Sequence, residues 1–451
     1  MNGSTVRMPT FTLILIGAAL ILYLIGKLIA VEYLFFAGYT VLHFVVLATA
    51  WNILGGYCGY VNFGSAGFFG IGAYTAVFIH KFYPMPIPLL IVMGGLVAGL
   101  VGLGMGYLTL RLRGVYFAIA TLALAIVLQT LIVNWDYVGG SRGAYIIRPQ
   151  SIAVVGSYVE YLFLTMLALT VVALVVARAI ERSQLGYGFA TIRDDEVAAE
   201  ASGVPTLRLK LVATTISGAL MGMAGAPFPY YIGYLEPASA FGLAYAVNAI
   251  AMPMIGGTTS WIGPLVGAIL LGTLQQVASV TISSAVNLLI VGILLVAFVI
   301  IAPNGLVGLV QDFIRAAAPD RRLSRPALGT LLIAGYGIVA GMFGVVLGLS
   351  AMTSTARAVG LFELVVSVLL IASAYGLLKL QSWGAMLATI SFALAVPLGL
   401  IQLWSHPSLV NIFMYGSLIV IGAAAVALLQ TESVKALYRL QPGEQQQQVA
   451  S

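Results

Sequence analysis

Long apolar runs separated by short polar segments make up most of the chain. A helix that crosses the hydrocarbon core of a bilayer needs about 20 mostly apolar residues. Fourteen runs meet or approach that length, and we expect a membrane-spanning helix at each of them. They are residues 11–29, 33–54, 67–80, 88–110, 115–133, 159–179, 211–228, 245–256, 263–282, 285–302, 328–350, 359–378, 384–404 and 409–429.

The distribution of basic residues supports this number of crossings. If Arg7 is placed in the cytoplasm and the crossings alternate, Arg111, the segment 180–210 and the segment 303–327 are also cytoplasmic. Lys and Arg are enriched in cytoplasmic loops, and an error of one crossing would move these groups to the wrong side. The loops expected outside include 134–157 and the one around Glu236. Both termini are therefore predicted to be cytoplasmic, in a multi-pass protein of the inner membrane.

Composition excludes several classes of protein. Of the 451 residues, 61% are hydrophobic and 8% are charged, whereas a soluble domain has roughly 25% charged residues. A soluble enzyme, a nucleic-acid binder and a disordered protein are thereby excluded. The 51 glycines suit helices that pack closely in a bilayer. We expect an all-α polytopic membrane protein with about ten spanning helices in a core and about four more after it.

A polar segment divides the predicted helices into two groups. Residues 318–327 contain two prolines and three arginines between apolar runs, which indicates a cytoplasmic linker. It separates a core, residues 1–317, from a C-terminal membrane extension, residues 328–440. The sequence of the extension contains no recognisable set of catalytic or ligand-binding residues, so we expect it to serve in packing or as an interface. The glutamine-rich tail 441–451 is predicted to be disordered.

The sequence offers little for catalysis or ion coupling. It has no GxxxxGK[ST] phosphate loop, no HExxH and no CxxC, so we expect no ATP hydrolysis, metal or cofactor on this chain. Glu160, Glu363 and Lys379 lie near helix ends, where snorkelling would explain them. His43 lies mid-span, where a helix–helix hydrogen bond is the usual role. Energy must therefore come from a partner, or else the chain is a passive facilitator.

Two glycine-rich segments, 52–74 and 256–267, interrupt the apolar pattern. Irregular backbone at membrane depth is tolerated where it is buried in protein or lines a watery cavity, and paired interruptions often mark a transporter's substrate site. They could also reflect an inverted repeat, or close packing of small residues without any substrate. The residues predicted to line a translocation path are Asn52, Gly55, Gly56, Asn62, Gly64, Ser65, Gly256 and Gly257.

The polar stretch 181–210 differs from the rest of the chain. Within it, residues 193–203 are predicted to form one short helix, with acidic residues in its first turn and an end at Gly203. A solvated charged loop is the simplest explanation. However, Ala198, Ala199 and Ala201 would form an apolar strip suited to the groove of another protein.

These segments resemble the branched-chain amino-acid permeases of ABC importers, in particular the LivM-type transmembrane subunit. The similarity runs in order over roughly residues 11–309. The matching stretches are 59–74, 111–122, 134–136 with 139–140, 190–203, 222–226, 256–257 with 261–264, and 303–308. Many relatives have a histidine where this chain has Ser65, so no role of that histidine carries over. The extension 328–440 has no counterpart in the family core.

The resemblance implies a set of partners and roles. The partners would be a LivH-like second permease, two ABC ATPases, an extracytoplasmic substrate-binding protein, a small polar solute and membrane lipid, with no nucleic acid. Residues 193–203 would engage the ATPase, and the outer loop would meet the binding protein. The coupling residues implied are Arg193, Asp194, Asp195, Glu196, Ala199, Glu200 and Gly203. Those implied for the binding protein are Trp135, Gly139, Gly140 and Arg142.

Two other functions remain open at this stage. A stand-alone facilitator or channel for a small neutral solute, such as urea or an amide, would explain the scarcity of ionisable residues in the spans. It would leave the segment 193–203 unexplained. A membrane-embedded enzyme lacks any convergent catalytic set. The family also includes carriers of branched-chain and other amino acids, so the substrate does not follow from the resemblance.

Overall fold

The computed structural model describes residues 7–29, 31–146, 156–281, 292, 296, 302–317, 324–352, 357–405 and 409–439. These residues form helices almost throughout, with a single pair of two-residue strands within the described ranges. Eleven of the described helical segments are long and apolar enough to cross a membrane. The chain is therefore an all-α polytopic membrane protein, as the apolar pattern predicts.

The chain separates into two compact units. Unit 1 comprises Met1–Thr273 and Phe298–Gly305, and unit 2 comprises Leu274–Ala297 and Leu306–Ser451. The predicted linker 318–327 lies outside the described residues up to 323, and its last residues begin a helix. The predicted disordered tail, 441–451, also lies outside the described residues.

Unit 1 contains the glycine-rich and charged segments described above. Its elements in chain order are α1 (Met8–Ile29), α2 (Glu32–Gly55), α3 (Ser65–Phe82), α4 (Ile87–Thr109), α5 (Val115–Val133), β1 (Ala144–Tyr145), α6 (Tyr158–Glu181), α7 (Gln184–Asp194), α8 (Glu196–Ala201), α9 (Thr206–Gly225), α10 (Phe228–Ile232), β2 (Tyr234–Leu235), α11 (Pro237–Ala240), α12 (Leu243–Gly256) and the first part of α13 (Ile262–Thr281), whose residues from Leu274 onward belong to unit 2. Two 3₁₀ turns, Asp136–Val138 and Gly140–Arg142, lie between α5 and β1.

Small residues set the packing of the core of unit 1. A Cβ atom on Gly72 of α3 would overlap the backbone of Gly222 in α9, and one on Gly222 would meet the side chain of Ala98 in α4. Helices in a bilayer associate through such close backbone approaches, because burial of apolar surface drives little there. At these positions, glycine allows the helices to pack in close contact.

Most of the predicted spans are present as helices. Eleven of the fourteen coincide with described helices long and apolar enough to cross a membrane. The runs 67–80 and 409–429 correspond to α3 and to a helix, Leu409–Leu429, whose apolar part is shorter. The run 285–302 lies almost entirely outside the described residues.

Loops predicted to share a side of the membrane do meet. Asn52 at the end of α2 donates a hydrogen bond to the carbonyl of Thr258, and Arg113 reaches Glu196 in α8. At the other end of unit 1, β1 pairs with β2 in antiparallel register. We name these the α8 end and the β1 end. Both groupings are as the alternating topology predicts, whereas the identity of the cytoplasmic side stays a prediction.

Unit 2 contains α15 (Arg325–Met352), α16 (Arg357–Leu378), α17 (Ser382–Ser405), α18 (Leu409–Leu429) and the short α19 (Glu432–Arg439), preceded by α14 (Gly305–Ala317) at its boundary. The long helices contact each other in sequence order, and α15 meets α18 only briefly. Gly348 and Gly360 allow α15 and α16 to approach until a Cβ on either would touch the other's backbone. The four predicted C-terminal helices are thus present.

Two acidic residues are more deeply placed than the sequence suggests. Snorkelling predicts exposed carboxylates, yet Glu160 and Glu363 are 4% and 2% exposed. Glu160 accepts hydrogen bonds from Tyr23 and from Lys27, the latter over 2.6 Å. The snorkelling interpretation is therefore wrong for both glutamates, because each has hydrogen-bond donors inside the protein. Lys379, with its side chain 39% exposed, fits that interpretation.

Candidate coupling and translocation sites

The charged segment at the α8 end forms two helices rather than one. Arg193 and Asp194 are the last residues of α7, and α8 begins only at Glu196. Between them, Asp195 has extended backbone, and its carboxylate accepts hydrogen bonds from the amides of Val197 and Ala198. This is an N-cap, which starts a new helix. The prediction of one helix from Arg193 is wrong, whereas its predicted end near Gly203, where φ is +82°, is correct.

The inner face of α8 is held by a buried lysine. Lys210 of α9 is 3% exposed, and its ammonium donates to Glu196 Oε1 over 2.7 Å, to Tyr60 Oη over 3.0 Å and to the Leu110 carbonyl over 3.0 Å. Tyr60 in turn donates to Glu196 Oε2. We call these four groups the Lys210 cluster. All three ammonium protons have acceptors, so the buried charge is both paired and fully hydrogen-bonded.

The cluster also sets the protonation state of Glu196. Burial alone would raise the pKa of this carboxyl, but the hydrogen bonds from Lys210 and Tyr60 and the charges of Lys210 and Arg113 lower it overall. Arg113 lies 3.5 Å from Glu196 and 3.6 Å from Glu200, with its side chain about half exposed. Glu196 is therefore an ionised group that ties α8 to α9 and to the loop containing Tyr60.

The predicted coupling residues do not all lie on the outer face of the segment. Asp194, Asp195 and Glu200 are exposed, as a docking role requires, and Val197 is 60% exposed between them. Ala199 is only 4% exposed, so it faces the protein and cannot contribute to an apolar strip on the outside. That part of the prediction is wrong, because the helix phase set by the Asp195 cap turns Ala199 inward. Ala198 and Ala201 remain exposed.

The first glycine-rich segment is a buried connection between two complete helices. Within the segment 52–74, this connection is formed by residues 56–64, which link α2 to α3 at the α8 end. Trp51 donates a hydrogen bond to the carbonyl of Asn62, and the Asn62 side chain accepts one from the amide of Gly64. A Cβ on Gly64 would lie 2.6 Å from the Thr121 carbonyl oxygen. These contacts fix the connection tightly against α2 and α5.

The second glycine-rich segment meets the first. The Asn52 side chain donates to the Thr258 carbonyl over 3.1 Å. Gly257 has φ +117°, which disfavours any side chain, and a Cβ on Gly256 would overlap the carbonyl of Gly263. A Cβ on Gly56 would overlap the Asn52 side chain. The structure thus brings the predicted path residues into one buried region, where the glycines permit close backbone packing; Gly55 adjoins the Trp51 ring there.

Several polar atoms in unit 1 are buried without a described partner. Asn52 Oδ1, Ser65 Oγ and Thr49 Oγ1 have no hydrogen-bond partner among the described residues. The same holds for both ring nitrogens of His43, which lies among the rings of Phe69, Phe228 and Tyr245. The interhelical hydrogen bond expected for His43 is therefore not seen among the residues described. Such groups need water or a polar ligand as a partner.

An open cavity lies beside the Lys210 cluster. Its volume is about 500 Å³, and it is lined by the connection 59–63, by residues 113–118 and by Glu196. Sequence reasoning missed Tyr60 and Lys210, which join this cavity to α8. The sequence feature that could have indicated this contact is Lys210 itself, a lone basic residue near the start of an apolar helix. Glu196 and Glu200 lie 14 and 10 positions before it and are possible partners.

The outer loop at the β1 end is described up to residue 146. Trp135 and Tyr137 pack on Phe78, and Lys81 donates to the Tyr137 carbonyl. Gly139 and Gly140 both have positive φ, a backbone conformation that glycine adopts readily and that shapes this turn. The predicted contact residues Trp135 and Arg142 are exposed. The rest of this loop, 147–155, lies outside the described residues.

The fold and these sites define a polytopic membrane protein with a charged helical segment at one end and buried polar groups between its helices. The sequence matches the family described as "branched-chain amino acid transport system / permease component" over residues 33–299. This range is more than half of the chain, and the protein belongs to that family. The predicted extension 328–440 lies beyond the matched range.

Comparison with curated proteins gives consistent relatives. The chain is 30% identical over 288 residues to the high-affinity branched-chain amino acid transport system permease protein LivM of Escherichia coli and 29% identical to LivM of Salmonella typhimurium, covering 58% of this chain and 67% of each relative. It is 23% identical over 264 residues to a probable LivH permease of Methanocaldococcus jannaschii, covering 55% of this chain and 82% of that protein. No solved structure matches the chain.

Proposed function

We propose that this chain is the permease subunit of an ABC importer for small polar solutes, with branched-chain or other amino acids as the leading substrates. It would act with a LivH-like second permease, two ATPase subunits and an extracytoplasmic binding protein. The inner membrane is its expected location, with both termini cytoplasmic. Membership of the permease family and the names of the LivM relatives support this proposal. The relatives are permease subunits, and ATP hydrolysis would belong to partner chains.

The Lys210 cluster is the observation that carries the proposal. It joins an exposed two-helix segment to α9 through Lys210 and to the α2–α3 connection through Tyr60. A buried, fully hydrogen-bonded ion pair is rigid, because separating its members leaves uncompensated charge. A displacement of α8 by an ATPase would therefore be passed to both elements instead of being absorbed locally.

The α2–α3 connection offers a route from α8 to the buried region between the glycine-rich segments. At Gly56 it lies against the backbone of Thr258, where an added Cβ would be 2.6 Å from the carbonyl oxygen, and at Gly64 it contacts α5. Movement of this connection would change the spacing of those segments, which we propose line the translocation path. The unpartnered oxygens of Asn52 and Ser65 would then provide hydrogen-bond acceptors for a polar solute.

The β1 end would receive the binding protein. Exposed aromatic rings are concentrated there, with Tyr145 and Tyr234 in contact at 4.5 Å between ring centroids. Aromatic side chains give a large contact area at small conformational cost and are common at protein interfaces. We therefore add Tyr145, which is 79% exposed, to Trp135 and Arg142 as a contact residue.

The test is a charge placed on the outer face of α8. In proteoliposomes that contain the chain with its ATPases, second permease and binding protein, Val197→Asp should lower ATP-driven uptake at least tenfold, because it buries a charge in the docking interface. The control is Val31→Asp, the same change at an exposed valine near the β1 end, which should keep the co-purification of the ATPases that Val197→Asp loses.

Two results would contradict the proposal. Normal ATP-driven uptake by Val197→Asp would remove α8 as the docking element. Uptake of a neutral solute by the purified chain alone, without ATPases, would instead support the stand-alone facilitator.

A further inference from the structure

Unit 2 contains a cavity that the permease function does not use. It has a volume of about 270 Å³ and lies among α15, α16, α17 and α18. Most of its lining is apolar, contributed by residues such as Val339, Leu347, Leu370 and Leu398. A cavity of this size can hold a small organic molecule but not a folded segment of another protein.

A carboxylate stands in the wall of this cavity. Glu363 is 2% exposed and accepts hydrogen bonds from Tyr415 to Oε1 and from Gln402 to Oε2, each over 2.9 Å. Both donors are neutral. A carboxylate oxygen can accept two hydrogen bonds, so each oxygen retains acceptor capacity. Two donated bonds orient the group, yet they supply no positive charge.

Among the described residues of unit 2, no basic side chain is paired with Glu363. Within the described part of unit 2, no Lys or Arg nitrogen lies within 4 Å of its carboxylate. Arg357, at the start of the same helix, is six residues away, which is about 9 Å along the axis, and it is exposed. Ionised side chains buried in a membrane protein are usually paired with an opposite charge. The cavity beside Glu363 is the place where such a positively charged partner could bind.

The remaining polar and aromatic groups indicate what kind of cation fits. The rings of Tyr336, Phe343 and Tyr415 line the cavity, and the hydroxyl of Tyr336 is already paired with Ser417 at 3.1 Å. Aromatic faces attract ammonium groups, and they do so most strongly when the cation is desolvated. A metal ion is not favoured, because the described residues contain no group of three metal-binding side chains and Ca²⁺ or Mg²⁺ needs about six oxygen ligands.

We propose that this cavity binds a small organic cation, an ammonium group attached to an apolar body. The ammonium would lie against Glu363 and the aromatic rings, and the apolar body would fill the space beside Leu370 and Leu398. The described lining residues include no Lys or Arg that could meet a phosphate, so a free amine suits the site better than a phospholipid headgroup.

The first experiment measures binding of radiolabelled benzyltrimethylammonium to the purified full-length chain in an uncharged detergent. We expect saturable binding of one molecule per chain. The uncharged isostere neopentylbenzene should fail to compete, because it has the same shape without the charge. Absence of saturable binding, or equal competition by the uncharged isostere, would overturn the proposal without any mutation being needed.

Variants then locate the site. Glu363→Gln should weaken binding at least tenfold, and Phe343→Leu, which removes one ring from a half-buried position, at least threefold. Glu432→Gln, a change at an exposed glutamate of the same unit, should bind like the unmodified chain. Full binding by Glu363→Gln, or an equal loss in the Glu432 control, would contradict the assignment.

Competition identifies the source of the ammonium group. Displacement of the probe by free phenethylamine supports a soluble amine. Displacement by phosphatidylethanolamine alone would overturn that choice of ligand in favour of a lipid headgroup.

Discussion

Two glutamates, the largely buried Glu196 of unit 1 and the buried Glu363 of unit 2, are held in different ways. Glu196 in unit 1 is paired with the ammonium of Lys210 and receives a hydrogen bond from Tyr60. Glu363 in unit 2 receives hydrogen bonds from Tyr415 and Gln402 and has no described cation beside it. Glu196 thus has both hydrogen bonds and a positively charged partner within the chain. Glu363 has hydrogen bonds, but no positively charged partner among the described residues.

This difference indicates different roles. A charge that is paired inside the protein fixes two elements to each other, and its loss is felt as lost structure. A charge that is hydrogen-bonded but unpaired is held ready for a partner that comes from outside. We therefore expect changes around Glu196 to alter stability and coupling, and changes at Glu363 to alter binding with little effect on stability.

The largest effect is expected from Lys210→Met, which leaves Glu196 buried without its cation. Breaking a buried ion pair on one side costs about 3–5 kcal/mol. Cys58 gives a direct measurement, because it is the only cysteine in the sequence, is fully buried in the α2–α3 connection, and has its thiol pKa raised by burial to about 12. Its labelling by a maleimide should accelerate at least a hundredfold, since about 1.4 kcal/mol corresponds to a factor of ten.

The matched control for that variant is Lys379→Met. Lys379 is partly exposed and lies 4.0 Å from Asp312, itself partly exposed. Exposed pairs of this kind contribute about 0–1 kcal/mol, so Cys58 labelling should be unchanged. If both lysine variants accelerate labelling equally, the Lys210 cluster has no special role.

The next largest effect is expected when each of the two glutamates is replaced by glutamine. Glu196→Gln should destabilise the protein by about 1.5–3 kcal/mol, because Lys210 loses a charged hydrogen-bond partner. Glu363→Gln should change stability by at most about 1 kcal/mol, because no described cation loses its partner, the new amide oxygen still accepts from Tyr415, and the Gln402 amide can rotate to accept from the new NH2 group. The melting temperatures of both variants in detergent measure this difference. A larger loss for Glu363→Gln would reverse the comparison.

A pH titration removes the same charge without mutation. The pKa of Glu196 is lower in the folded protein than in the unfolded chain, so its contribution to stability is present above the ordinary pKa of about 4.3 and is lost as the pH falls through the folded value. Amide exchange in residues 196–201, corrected for intrinsic rates, should rise only in that acid range. The rise should be absent in Glu196→Gln, and its persistence there would assign it to another group.

The smallest effect is expected from Arg113→Gln. The Arg113 side chain is about half exposed, and its distances to Glu196 and Glu200 are 3.5 and 3.6 Å. Such pairs are worth about 0–1 kcal/mol and are screened by salt. Cys58 labelling should rise less than about fivefold, and 0.5 M NaCl should bring the unmodified chain close to the variant. A hundredfold rise would place Arg113 within the buried cluster.

The sequence predicted most of the fold because the bilayer imposes a simple condition on it. A spanning segment must be long, apolar and helical, so runs such as 33–54 and 115–133 became α2 and α5. Alternation of the crossings then placed the loops around Arg113 and residues 180–210 on one side, where they do meet. Helix α3 was less certain from sequence, since seven of the 23 residues from 52 to 74 are glycine.

The sites were predicted less completely. The segment 193–203 was recognised, but the break at Asp195 and the inward position of Ala199 were not. The side chain of an aspartate can cap a helix or lie within its first turn, and local sequence does not separate these choices. Tyr60 and Lys210 are 150 residues apart, so no local pattern connects them.

The sequence by itself determined where the helices lie, which loops share a side and that no phosphate loop is present. Those properties depend on runs of neighbouring residues and on the solvent around them. Only the tertiary structure decided that Glu196 meets Lys210, that Asn52 reaches residue 258, and that Glu363 faces a cavity with no described cation. These depend on contacts between distant segments, where the energy of a buried charge is set by what the fold brings next to it.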